Sequence, residues 1–290
     1  MDFYGLNMPG VAHAMYPLEV SAAQGAEQRV MVQTFAPPEV RGAVLMCHGY
    51  YDHVGLYGHL IRYLLGRGLL VVAFDQPGHG LATGEPAHID SFDEYIAALT
   101  AVEQFALKLQ GVDELTHWVG QSMGGAILME YFAQHNRQPV GDLVLFAPLV
   151  RPHAWWFNRW VFAAARLTIQ AKKRILTRNA DNPEFLAFLA QDPLQADLLP
   201  VSWVQAMVDW TNRFETYPPS PIAPRIIQGQ LDRTIDWQYN LERLGRLYPQ
   251  AQWLMLPEAR HHLVNESAAL RATMFSWLDE HAFGEFAATG

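Results

Sequence analysis

Gly120-Gln121-Ser122-Met123-Gly124 is a G-x-S-x-G pentapeptide. Leu115-Thr116-His117-Trp118-Val119 before it is short, apolar and rich in β-branched and aromatic residues. Gly125 to Phe132 after it reads as helix. A serine on a sharp strand-to-helix turn is held out from the sheet in a strained backbone, and the flanking glycines let strand and helix approach closely. The alternative is an ordinary Gly-rich turn. A serine hydroxyl is a weak nucleophile at its free pKa, so it needs a base and a group to orient that base. In this architecture the acid and then the histidine follow the serine in the chain. Asp232 lies on the turn Gly229-Gln230-Leu231-Asp232 after a strand, with Asp236 as its rival four residues on. His261 and His262 follow the last strand and compete for the role of base.

The elements that must position these residues are legible from hydrophobic patterning. Residues 11–35 hold two extended pieces, of which Arg29–Phe35 is the better strand. Gly42–Cys47 and Leu69–Phe74 are continuous apolar runs, as expected of strands covered on both faces. Tyr57–Arg67 is helical in pattern and stops at Gly68. A second helix starts at Ser91, an N-cap with Glu94 three residues on, and runs to about residue 110. After the serine turn come strand Asp142–Phe146, strand Arg225–Gln228, helix Trp237–Leu247, strand Gln252–Leu256 and helix Val264–His281. Alternating strands and helices predict an α/β fold, with a mostly parallel central sheet and helices on both faces. The special turns then fall at strand carboxyl ends, where open α/β sheets bind ligands.

Between residues 150 and 222 the pattern changes. Buried strands disappear and the segment reads as helical, rich in Trp and Phe. An insertion there, in mid-sheet, reads as a helical cap over the strand ends, leaving residues 1–149 and 223–290 as the core domain. Trp155, Trp156, Phe157 and Trp160 read equally as an acyl-chain or membrane-contact surface and as packing between cap and core. Lys172-Lys173-Arg174 reads as a solvated face.

Of the 290 residues, 50% are hydrophobic and 17% charged, enough to bury a sizeable core. A formal net charge of −9 argues against a nucleic-acid partner, because such proteins neutralise phosphates with Lys and Arg. The single cysteine, Cys47, excludes an intramolecular disulfide and reads as core. The first residues lack the pattern of a signal peptide, and no run of about twenty apolar residues could span a bilayer, so the chain reads as soluble and cytoplasmic. The 12 histidines show no metal-ligand spacing, and neither metal nor cofactor is expected.

His48-Gly49, Asp75-x-x-Gly78-His79-Gly80, Gly120 to Gly125, Gly229-x-x-Asp232 and Ala259-Arg260-His261-x-Leu263-x-Asn265-Glu266 occur in this order along nearly the whole chain. Together they resemble the monoacylglycerol lipase and lysophospholipase branch of the α/β-hydrolases, also labelled serine aminopeptidase-like. Asp192-Pro193-Leu194 and Trp203 in the insertion also fit. The resemblance implies an α/β-hydrolase fold with a cap, a triad of Ser122, Asp232 and His261, and an oxyanion hole from the backbone N–H groups of Met123 and Tyr50. It favours His261 over His262, although His262 stands where the family often has an acidic residue. His48 and His79 read as turn-stabilising residues, and His53 and His59 carry no assigned role.

The implied activity is serine ester hydrolysis of a lipid-like monoester, with a small-molecule ester or lipid as partner and transient membrane contact through the cap. An aminopeptidase or a carbon–carbon bond hydrolase could use the same fold. For the first, Glu184 and Asp197 could hold the substrate amine. A binding protein that kept the fold is the non-enzymatic alternative.

Overall fold

The structure, a computed structural model, describes residues 2–21, 27–109, 112–156, 170–174 and 178–283. Its centre is an eight-stranded sheet built from β1 (Ala12–Ser21), β2 (Glu27–Ala36), β3 (Gly42–Cys47), β4 (Leu69–Asp75), β5 (His117–Gln121), β6 (Leu143–Phe146), β9 (Arg225–Gly229) and β10 (Gln252–Leu256). The order is β1-β2-β4-β3-β5-β6-β9-β10. β1 pairs antiparallel with β2, and β2 with β4; every other pairing is parallel. Both extended pieces near the N-terminus are therefore strands. The parallel strands β4, β5 and β6 are buried at every position, which is why they lack period-two alternation.

Helices α1 (Gly58–Gly66), α2 (Asp93–Ala106), α3 (Met123–Gln134), α6 (Trp237–Leu247) and α7 (Ala268–His281) connect these strands or follow the last. Their ends carry the expected chemistry. Gly68 turns the chain out of α1 at φ +77°, and Glu94 accepts from the Ser91 N–H at 3.0 Å. Asp236 and Ser267 cap α6 and α7 through their side chains. The last helix begins at Ala268 rather than near 264, because Leu263–Asn265 forms a short 3-10 turn that leaves the site loop first.

The stretch between β6 and β9 holds α4 (Pro183–Leu189) and α5 (Val201–Phe214). It also holds an antiparallel pair, β7 (Ala171–Lys173) and β8 (Leu198–Pro200), which corrects the purely helical expectation. Three-residue strands on a half-exposed surface leave no apolar run to detect. Phe157, Trp160 and Arg166 lie outside the described residues.

This insertion is fastened to the core by buried polar bonds. Glu130 of α3, fully buried, accepts from Trp210 Nε1 at 2.9 Å, Arg213 Nε at 2.9 Å and Tyr217 Oη at 3.0 Å. Where the insertion begins, the Arg151 guanidinium bonds Glu215 and lies 3.6 Å over the Tyr239 ring. Asn240 accepts from the Arg151 N–H at 2.9 Å and donates to its carbonyl at 3.2 Å. A buried carboxylate that accepts from this many donors, as Glu130 does, does not carry an unmatched desolvation cost.

Candidate active site

β5 ends at Gln121, and Ser122 follows with φ +52° and ψ −114°, a region that non-glycine residues rarely adopt. The strain is held by fixed neighbours. Ser122 N donates to Phe146 O at 2.8 Å, and its carbonyl accepts from Ala126 and Leu149. A Cβ at Gly124 would run into the carbonyls of Cys47 and His48, and one at Gly120 would meet the Gly124 backbone at 2.6 Å. Both glycines are thus required by close approach, as the pentapeptide suggested.

His261 Nε2 stands 2.9 Å from Ser122 Oγ, and His261 Nδ1 stands 2.7 Å from Asp232 Oδ2. The network assigns the tautomer: Nδ1–H donates to the carboxylate, leaving Nε2 to accept the serine proton. Asp232 is fixed in turn, its Oδ1 accepting from Thr234 N at 2.8 Å and Ile235 N at 3.2 Å, and its Oδ2 from Gln228 Nε2 at 3.2 Å. Burial pushes the Asp232 carboxyl up, but His261 and these donors outweigh it and hold the group below its ordinary value. Burial pushes the His261 pKa down, yet Asp232, with a smaller contribution from Asp52, carries it above 6.5. Gln121 Nε2 bonds the His261 carbonyl at 2.9 Å, and buried Glu266 accepts from Arg260 N at 2.6 Å, so the loop bearing the histidine is braced on both sides.

The rivals are placed elsewhere. Asp236 caps α6 through the Tyr239 N–H. His262 faces Asp52, with Nε2 3.2 Å from Oδ2. His48 is structural: Nδ1 bonds Gly49 O at 2.8 Å and Nε2 accepts from Gln76 N at 2.9 Å. Burial, followed by neighbouring His79, drives its pKa down to about 3. His79 bonds Pro77 O at 2.8 Å, and burial takes its pKa down to about 4. His53 donates to Asp192 Oδ2 at 2.7 Å, a bond between core and insertion.

Among the described residues, the backbone N–H groups of Tyr50 and Met123 have no hydrogen-bond partner in the protein. Met123 opens α3, where unpaired N–H groups and the helix dipole favour negative charge. Tyr50 is held by its hydroxyl, which bonds Ala87 O at 2.9 Å, and by stacking on Trp203 with ring centroids 3.7 Å apart. Such an arrangement can move a proton from Ser122 to His261 and stabilise an oxyanion next to Ser122.

Ser122 and His261 open into a cavity of about 340 Å³. Its described wall includes the apolar Leu149, Leu189, Leu199, Trp203 and Ile235 and the basic Lys172, Lys173 and Arg174. Trp203, Asp52 and the basic run were not expected there; the tyrosines and aspartate after His48-Gly49 were the available signal. Trp155 is buried and Trp156 exposed, and neither is in that described wall. Glu184 and Asp197 also lie outside it. No group of three or more potential metal ligands occurs among the described residues, and none of their helices is long and apolar enough to cross a membrane.

The profile of the family described as Serine aminopeptidase, S33 matches residues 38–268. A monoacylglycerol lipase of Mycolicibacterium smegmatis is 28% identical over 271 residues, 87% of this chain and 94% of that protein. A monoglyceride lipase of Mus musculus is 32% identical over 237 residues, covering 78% and 76%. Among solved structures, a soluble variant of monoglyceride lipase from Saccharomyces cerevisiae, in complex with a substrate analog, superposes with a TM-score of 0.73 at 22% identity, covering 96% of this chain and 98% of that one. That likeness concerns the fold.

Proposed function

The chain belongs to the serine aminopeptidase S33 family, in the monoacylglycerol lipase branch of the α/β-hydrolases, and from that premise we propose that it hydrolyses carboxylic esters of lipid-like monoacyl substrates through an acyl-enzyme on Ser122. The observation that carries the reading is the line Ser122 Oγ, His261 Nε2, His261 Nδ1, Asp232 Oδ2, with contacts of 2.9 and 2.7 Å at one end of a partly apolar cavity.

In this mechanism Ser122 Oγ attacks the ester carbonyl carbon while His261 Nε2 takes its proton. The N–H groups of Tyr50 and Met123 receive the charge on the carbonyl oxygen, an effect worth about 3–4 kcal/mol per donor by loss. The tetrahedral intermediate collapses, and His261 returns the proton to the departing alcohol. Water then repeats the sequence on the acyl-enzyme and releases the carboxylic acid. No cofactor enters these steps. Residues 150–222 act as a cap whose Leu189, Leu199 and Trp203 receive the acyl chain. Trp156, an exposed aromatic of the described insertion, is available for membrane contact, whereas the buried Trp155 packs.

The aminopeptidase reading draws less support, since the one carboxylate in the described wall, Asp52, is engaged by Tyr57 and His262. Labelling by a fluorophosphonate probe tests nucleophilicity, followed by a p-nitrophenyl ester series and a monoacylglycerol panel. Labelling at Ser122 with hydrolysis of both sets is the expected result. Absence of labelling would leave a binding protein in its place.

A further inference from the structure

From Leu143 to Ala180 the sequence holds no Asp or Glu, yet it carries five arginines and two lysines, in a chain whose formal net charge is −9. Three of these cations, Lys172, Lys173 and Arg174, belong to the wall of the cavity that contains Ser122. Lys172 and Lys173 sit on β7, opposite Leu199 and Leu198 of β8, and are exposed. Among the described residues neither pairs with a carboxylate, and segments 157–169 and 175–177 contain no acidic residue. Arg174 is half-buried and held in place. Its guanidinium lies 4.0 Å over the Tyr51 ring, and Nη1 donates to Gln195 Oε1 at 2.7 Å and Ala196 O at 3.3 Å. Tyr51 directly follows Tyr50 of the proposed oxyanion hole. The carboxylate in the same described wall, Asp52, accepts from Tyr57 Oη at 2.7 Å and faces His262 at 3.2 Å.

Arg174 has Asp52 as a neighbouring charge, but the two lysines beside it have no carboxylate partner among the described residues, and a cationic stretch of cavity wall of this kind is a subsite for an anion. We infer that Lys172, Lys173 and Arg174 hold an anionic group, a phosphate or a carboxylate, carried by the ester that Ser122 attacks. The inference rests on the ester-hydrolase reading and deepens it: the preferred substrate is a net-anionic acyl ester rather than a neutral one. The anion could sit on the alcohol or on the far end of the acyl chain, and the chemistry of recognition is the same. Exposed ammonium groups contribute modestly one by one and are screened by salt, so the preference is a collective, salt-sensitive one. The guanidinium, already oriented by Tyr51, loses less freedom on binding.

Three octanoyl-length esters presented as monomers in solution test this: 1-octanoylglycerol, its 3-phosphate, and the glyceryl monoester of octanedioic acid. The expected kcat/KM is about tenfold higher for one of the two anionic esters than for octanoylglycerol at low salt, and the ratio shrinks towards one as sodium chloride is raised. Whichever ester shows the preference locates the anion. Lys172→Glu/Lys173→Glu should invert the ratio, and Lys172→Gln/Lys173→Gln should bring it near one; melting temperatures check that both fold. An active enzyme with a ratio near one at all salt concentrations overturns the subsite while leaving the esterase reading intact. So does a preference seen only with esters embedded in anionic vesicles, which would make the basic run a membrane contact. Loss of turnover on all three esters, together with no fluorophosphonate labelling, overturns both.

Discussion

Asp52 Oδ2 stands 3.2 Å from His262 Nε2, so the histidine next in sequence to His261 faces a carboxylate of its own. The same oxygen accepts from Tyr57 Oη at 2.7 Å, and Tyr57 Oη accepts from the Gly49 N–H at 2.9 Å. Burial pushes the Asp52 carboxyl up, but His262 and Tyr57 more than offset it and keep the group ionised far into acid. This line of contacts ends on the residue before Tyr50, in a turn where Tyr51 takes φ +68° and Asp52 N bonds Gly49 O at 3.2 Å. Tyr57→Phe removes one donor and one acceptor from the turn without changing its volume much. It should lower kcat about tenfold, ~1.4 kcal/mol, with KM within twofold, because an oxyanion donor matters most in the transition state. A loss in KM alone would mean that Tyr57 shapes the cavity and not the turn.

The triad assignment is tested by parallel alanine variants. Ser122→Ala and His261→Ala should each remove nearly all esterase activity, by about 10⁴ or more, with the double variant no worse than either, since the members act as one unit. His262→Ala should retain measurable turnover, since its ring meets Asp52 rather than Ser122. The reverse result, an inactive His262→Ala and an active His261→Ala, would reassign the base.

Much of this site could be read before any coordinates. Ser122, Asp232 and His261 each follow a strand of the central sheet, and strands buried on both faces announce themselves as unbroken apolar runs such as Leu69–Phe74. Gly120 and Gly124 are fixed by backbone contacts that only glycine permits. What escaped was set by pairings across long separations. Nothing local links Asp52 to His262 within the core, or Lys172 to Leu199 within the insertion, because those contacts exist only once segments far apart in the chain are folded together. The strands β7 and β8 were missed for the same reason: three residues with mixed exposure carry no period.

The pH profile should follow His261. Its conjugate acid is held above 6.5 by Asp232, and only the neutral imidazole can take the Ser122 proton. kcat/KM should therefore rise with pH through a midpoint above 6.5. The ion pair favours the folded state below 6.5, and that contribution fades as pH rises through the raised value. Asp232→Asn removes the cause of the rise, so the acid limb of its residual p-nitrophenyl butyrate turnover should move to lower pH. An acid limb that does not move would show that another group sets it.

The bond between Asp192 and His53 should make the attachment of the insertion acid-sensitive. Asp192 Oδ2 accepts from His53 at 2.7 Å and Oδ1 from Tyr4 Oη at 2.7 Å. Burial acts to raise the Asp192 carboxyl, and His53 and Tyr4 overcome it, so its pKa is lowered in the fold. A lowered carboxylate stabilises the fold above the unfolded value of 3.8 and loses that contribution as pH falls through the lowered one. Asp192→Asn should melt lower than the parent at pH 6, with the gap closing in acid. A gap that stays constant would place the cost in packing rather than in the charge.

Acyl-chain selection should depend on Trp203 more than on Trp155 or Trp156. Trp203 is buried, stacks on Tyr50 at 3.7 Å and belongs to the wall of the Ser122 cavity, together with Leu189 and Leu199. Each methylene that enters such a wall is worth about 0.8 kcal/mol, nearly a factor of four in kcat/KM. Specificity should climb steeply from acetyl towards medium-chain p-nitrophenyl esters and level off where the cavity is filled. Trp203→Ala should flatten the climb, because the new space no longer presses on the chain. Trp155→Ala should leave the ratio of octanoyl to acetyl turnover intact and lower the melting temperature, as expected for a buried tryptophan whose loss costs about 3–5 kcal/mol. Trp156→Ala, at an exposed position under the Arg151 guanidinium 5.1 Å from its ring, should change neither quantity strongly. A flattened climb in Trp155→Ala or Trp156→Ala with an unaltered one in Trp203→Ala would move the acyl-chain path to the other end of the insertion.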